Sequence, residues 1–139
     1  MNLSIKLLRR QIAMNILLSI KREYTGKIFS GEKRYEFRKQ KPNLSFERIF
    51  IYECRPSKNI VGFFSVNRIL SGSPEEIWKK CKHSSGIEKE NYFAYCSGKE
   101  KIYAFEIDEV FQFNCPINPL EIIPDFKPPQ NFTYLDSSP

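Results

Sequence analysis

Apolar and polar residues along this chain alternate between two periods, and the switches between them mark its elements. Ile16 to Ile20 is a short apolar run with the length and flanks of a buried strand. From Lys21 to about Ser30 the spacing becomes helical. Tyr24 and Ile28, with Phe29 beside them, form one inward stripe. Gly31 falls at the left-handed position that ends helices, and Lys27 lies where a cation suits the helix dipole. Period two returns at Arg34 to Arg38, with Arg34, Glu36 and Arg38 on one face and Tyr35 and Phe37 on the other. The aromatic pair anchors that strand in a core. The charged row, with Lys33 at its mouth, is either a solvated edge or a place where something charged binds.

The remaining pattern is mostly strand. Glu47 to Cys54 sets Ile49, Ile51 and Glu53 against Phe50, Tyr52 and Cys54, apolar on both faces and therefore central. After a turn at Arg55 to Asn59, Ile60 to Leu70 is a second long strand, in which Gly62 predicts a bulge or sharp bend. Ser73 reads as an N-cap, Pro74 as the first helical residue and Glu76 as the far half of a capping box. That helix turns Ile77, Trp78 and Cys81 inward. His83 opens a loop, and a short helix follows from about Glu88 to Ser97, with Tyr92, Phe93 and Cys96 inward and Gly98 as its stop. Lys101 to Phe113 is the last strong strand. Six of the nine prolines lie at or beyond Pro116, so the end of the chain reads as irregular. It is expected to lie extended across the domain on Phe132, Tyr134 and Leu135, with a disordered tail as the alternative. The order of elements predicts an α+β fold: a mainly antiparallel, bent sheet or barrel with short helices at its rim. Residues 1–13 read as an N-terminal extension, 14–115 as the domain and 116–139 as the packed tail.

Composition narrows the class. The 139 residues suit one domain. No run approaches the roughly 18 apolar residues of a membrane span, and no small-residue cleavage site follows the basic N-terminus. The chain therefore reads as cytoplasmic, with Cys54, Cys81, Cys96 and Cys115 as reduced thiols. No two cysteines have C-x2-C spacing and His83 is the single histidine, so no zinc site or other cofactor is expected. Charge is uneven. Residues 1–41 hold eleven Lys or Arg against Glu23, Glu32 and Glu36, whereas the net charge of the whole chain is +6. Such clustering favours a phosphate-bearing partner.

Leu17-Leu18-Ser19-Ile20-Lys21-x-x-Tyr24, followed by Gly31-x-Lys33-x-x-Glu36-x-Arg38, resembles the ASCH domain, of the small stand-alone bacterial or phage type. The likeness continues through Ile60-Val61-Gly62, Ser73-Pro74-Glu75-Glu76-Ile77-Trp78 and Pro128-Pro129-Gln130-x-Phe132-x-Tyr134-Leu135, and so covers about 14–136. The resemblance implies a PUA-like barrel with a cleft beside its first helix, lined by Lys33, Glu36 and Arg38. It implies RNA binding, and some small members are enzymes: one group removes the acetyl group of N4-acetylcytidine, another comprises ribonucleases. In the deacetylase group a threonine stands at the position of Glu36, so this chain has a carboxylate where that chemistry uses a hydroxyl.

Two readings of the cleft follow. As a binding site for RNA or a nucleotide, Lys21, Lys33 and Arg38 meet phosphate or base acceptors, Glu36 accepts from an amine or ribose hydroxyl, and Tyr52 or Tyr103 stacks on a base. As an enzyme on RNA or a modified nucleoside, Lys33 with a burial-lowered pKa is the base or nucleophile and Glu36 moves a proton. A protein-interaction module is a third reading. Oligomeric state is not encoded in any of these patterns.

Overall fold

A computed structural model describes residues 14–136; the expected extension 1–13 lies outside the described residues. Strands β1 (Met14–Ile20), β2 (Tyr35–Arg38), β3 (Ile49–Glu53), β4 (Asn59–Gly72), β5 (Ile102–Ile117) and β6 (Phe132–Asp136) form one sheet in the order β2-β5-β4-β3-β1-β6. β1 and β3 run parallel, and the other neighbours are antiparallel. Helices α1 (Arg22–Ser30), α2 (Pro74–Cys81) and α3 (Lys89–Tyr95) sit around this sheet, with single 3-10 turns at Lys82–Ser84 and Pro119–Glu121. This is the α+β, mainly antiparallel architecture that the order of elements predicts. Among the described residues no helix is long and apolar enough to cross a membrane.

Both faces of the sheet are covered, which is why β1 is apolar without alternation. Ile16 and Leu18 join Ile49, Ile51, Phe64 and Phe105 in one cluster, while Leu17 joins Tyr52 and Ile60 in another on the opposite face. A third cluster holds α2 and α3 against β2 and β5 through Tyr35, Phe37, Ile77, Tyr92 and Ala104. α1 ends as its sequence requires, with Gly31 at φ 87°. Its most deeply buried residues are Thr25 and Ile28, and the Thr25 hydroxyl donates to the Glu53 carboxylate at 2.5 Å. Ser73 caps α2, its hydroxyl accepting from the Glu76 amide at 3.2 Å. At Gly62 the register slips against β5, and a Cβ there would stand 2.2 Å from the Phe111 carbonyl oxygen.

The last quarter of the chain differs from expectation. β5 continues through Pro116, and residues 132–136 are a regular strand paired antiparallel to β1, Leu18 opposite Phe132. The free edge of β1 has backbone groups that need partners. Residues 130–136 hold no proline, so they can supply them.

The sheet bends until its two ends approach. Arg38, the last residue of β2, donates from Nη2 to the Ser19 carbonyl of β1 at 2.8 Å and from Nη1 to the Asn131 carbonyl just before β6 at 3.4 Å. One side chain thus bridges the open seam of the barrel.

Candidate functional site: a cleft between the first helix, the second strand and the third helix

Beside that seam lies a cleft of about 570 Å³, walled by Lys21 at the N-cap of α1 and Tyr24 within it, by β2 (Glu36, Arg38) and by α3 (Tyr95). Its deepest polar group is Lys33. Directly after the left-handed turn at Gly31, the Lys33 amide donates to the Lys27 carbonyl and the Arg34 amide to the Ser84 carbonyl. These bonds twist the chain so that Lys33 points in and Arg34 points out. Arg34 is exposed and donates to the Ile107 carbonyl at 2.8 Å, so it leaves the charged row in which strict alternation had placed it.

Lys33 is 2% exposed. Its amine donates to the Ser85 carbonyl at 2.7 Å, lies 3.9 Å from a Glu36 carboxylate oxygen, and sits over the rings of Phe37 (4.8 Å) and Tyr24 (5.3 Å). Burial pushes its pKa below the ordinary lysine value. Arg38 and Lys27 push the same way, and the nearby Glu36 carboxylate opposes them without winning. Gly86, at φ 65°, presses on this side chain: a Cβ there would fall 2.4 Å from Lys33 Cβ.

Glu36 is buried and accepts from Arg38 Nη2 at 3.1 Å. The Arg38 Nε is buried without a hydrogen-bond partner, an orphan donor in a residue that otherwise holds the seam. Tyr24 and Tyr95 keep their phenol protons: burial raises both pKa values, and Glu23 and Glu36 raise that of Tyr24 further. Among the described residues no group of three or more His, Cys, Asp or Glu is arranged to hold a metal ion.

Of the residues singled out from sequence, Lys21, Lys33, Glu36 and Arg38 come together here. Tyr52 and Tyr103 do not. Tyr52 is buried against Leu17 and Ile60 with Phe126 over it at 5.1 Å, and Tyr103 stands opposite Arg38 across the β2–β5 pairing, near Lys41 and Lys101. The aromatic walls are instead Tyr24 and Tyr95. Tyr24 lay in a helical stripe read as core, and Tyr95 was not among the inward residues read for its helix; the one hint for Tyr24 was that a tyrosine at a stripe's edge carries a polar tip.

A bent, nearly closed six-stranded sheet with a cleft of mixed polar and aromatic lining against its first helix defines a PUA-like domain. The ASCH domain profile matches residues 18–113, and the chain belongs to the ASCH domain family. It is 32% identical to an ASCH domain-containing ribonuclease of Zymomonas mobilis, over 86% of this chain and 82% of that protein. The crystal structure of ASCH from Zymomonas mobilis superposes with a TM-score of 0.82, at 31% identity and 88% coverage of both chains. A further match, 32% identical over 75% of this chain, is to the large ribosomal subunit protein uL22 of Ureaplasma parvum, of which it spans 33%.

Proposed function

We propose that this chain cleaves RNA, and that the cleft beside α1 is where it does so. The observation that carries the reading is the Lys33 amine: 2% exposed, its pKa lowered by burial, and lining the cleft. A lysine so placed is a base at milder pH than a solvated one. Similarity to a ribonuclease along most of the chain supports RNA as the substrate.

The residues then take distinct parts. The neutral Lys33 amine accepts the proton of a ribose 2′-hydroxyl. The 2′-oxygen attacks the adjacent phosphorus, the bond to the 5′-oxygen breaks, and that oxygen leaves with a proton from water at the open mouth. The products are a 2′,3′-cyclic phosphate and a 5′-hydroxyl. Glu36, 3.9 Å away, stabilises the ammonium formed on Lys33. The unpartnered Arg38 Nε donates to a non-bridging phosphate oxygen as charge builds there. Tyr24 and Tyr95 hold the base and donate from neutral phenols.

The test pairs short single-stranded RNA with its 2′-O-methyl counterpart, for the wild type and Lys33→Met. RNA cut to cyclic-phosphate ends by the wild type alone, with the 2′-O-methyl strand bound and intact, is the expected result. RNA left whole by folded wild-type protein would overturn the reading and leave binding as the role of the cleft.

A further inference from the structure

A second cavity, of about 550 Å³, lies between the Arg55–Asn59 turn and the segment 118–128, and it shares one wall residue, Cys54, with the cleft. We propose that this cavity is a second nucleotide subsite, which takes the RNA residue next to the one held in the cleft. The proposal rests on the RNA reading of the cleft, but its own support is separate.

Charge is the first support. Arg55 and Lys58 line the cavity and both are exposed, and no carboxylate lines it. The cleft, by contrast, has Glu23 and Glu36 among its cations. Cations with no local counter-charge are what a phosphate diester needs. Lys58 is also the sole non-glycine residue at positive φ (55°) among the described residues, a backbone state lysine rarely adopts.

The remaining wall suits a base. Phe126, half-buried and backed by Tyr52 at 5.1 Å, gives an aromatic surface at the side of the cavity. The Asn118 oxygen is taken by the Leu120 amide, which leaves the Asn118 NH2 as a donor for a base edge. Continuity is the last support. A strand with one nucleotide in the cleft crosses a single side chain, Cys54, to reach this cavity. Arg38 and Lys21 line the cleft together with that thiol.

The subsite is tested by binding, independently of cleavage. The probes are a nucleoside 3′-monophosphate and a 2′-O-methyl tetranucleotide, which cannot be cut through its 2′-oxygen. The variant is Arg55→Gln with Lys58→Gln, both surface changes, with thermal unfolding as the folding control. The expected result is tetranucleotide affinity about tenfold weaker and a salt slope shallower by about 1.4, for two lost phosphate contacts at about 0.7 each, with mononucleotide binding unchanged. Unchanged tetranucleotide affinity and slope, or equal weakening of both probes, would overturn the subsite. Wild-type protein that cuts no RNA but shows the expected binding pattern would remove the cleavage reading and keep the subsite. Wild-type cleavage with a silent double variant would do the reverse.

Discussion

Gly86→Ala is the sharpest perturbation the site offers, because it strikes Lys33 without touching a charged group. Gly86 has φ 65°, and an added Cβ would sit 2.4 Å from Lys33 Cβ, 2.6 Å from Cγ and 3.0 Å from Cδ. Lys33 is 2% exposed, and the only room beside it is the cleft its amine lines, away from the Ser85 carbonyl. An alanine in left-handed backbone costs about 1–2 kcal/mol, and overpacking a tight site adds about 1–3 kcal/mol. The sum, about 2–5 kcal/mol, lowers the unfolding midpoint of a domain this size by roughly 6–15 °C. Gly98 supplies the control: it has φ 78° with nothing within 4 Å of an added Cβ. Gly98→Ala therefore carries only the backbone cost, about 1–2 kcal/mol or roughly 3–6 °C. The readouts are thermal unfolding and RNA cleavage on both variants. Gly86→Ala should lose more stability than Gly98→Ala and, by dragging the amine from the Ser85 carbonyl, lose cleavage as well. Equal stability losses, or full cleavage in Gly86→Ala, would refute the claim that this glycine sets the position of Lys33.

Lys33→Met should remove a pH dependence of stability. The folded-state pKa of Lys33 lies below its ordinary 10.5. Between the lowered value and 10.5 the unfolded chain holds a proton that the folded chain does not, so wild-type stability rises with pH in that window relative to the variant. Urea unfolding of both proteins from neutral pH to pH 10.5 checks this, a constant difference counting against it, and cleavage should rise with pH in the same sense. Gly62→Ala, with the Phe111 carbonyl oxygen 2.2 Å and the Phe29 ring 2.9 Å from the new Cβ, should destabilise by about 3 kcal/mol or more, read as a lowered urea midpoint. Tyr95→Ala should weaken binding of uncleavable RNA by about 1–3 kcal/mol for one lost stacked base, measured by fluorescence anisotropy on folded protein, and should also lower the unfolding midpoint because the ring packs half-buried on the cluster of Tyr92 and Cys96.

What the sequence disclosed depended on how local the governing interaction was. The ends of α1 and α2 were legible because Gly31, Ser73 and Pro74 act on their own backbone. The position of β3 was legible because burial on both faces leaves no alternation in Ile49 to Tyr52. β6 was not, since its reason for being a strand is the distant edge of β1. In the site, Lys33, Glu36 and Arg38 share one short segment and could be grouped from it. The inward turn of Lys33 and the outward turn of Arg34 depend on carbonyls of Lys27 and Ser84, the second of them far along the chain. The choice of Tyr24 and Tyr95 over Tyr52 and Tyr103 depends on how α3 and the tail fold over the sheet.

Arg38 shows why fold and site cannot be separated here. Its Nη2 is committed twice, to the Ser19 carbonyl across the seam and to Glu36 beside it, and its Nη1 reaches the Asn131 carbonyl. These contacts tie β2 to β1 and to the chain entering β6, the two ends of the sheet order. They also fix the plane of the guanidinium. With the plane fixed, Nε has no freedom to find a protein partner and stays an unpaired donor. A lysine at this position would present one charge centre in place of a planar fork and could not span the seam while leaving a donor behind. The closure of the barrel therefore sets the state of Arg38 in the cleft: the bonds that hold the fold shut are the bonds that leave Nε without a protein partner, the donor that the proposed cleavage assigns to phosphate.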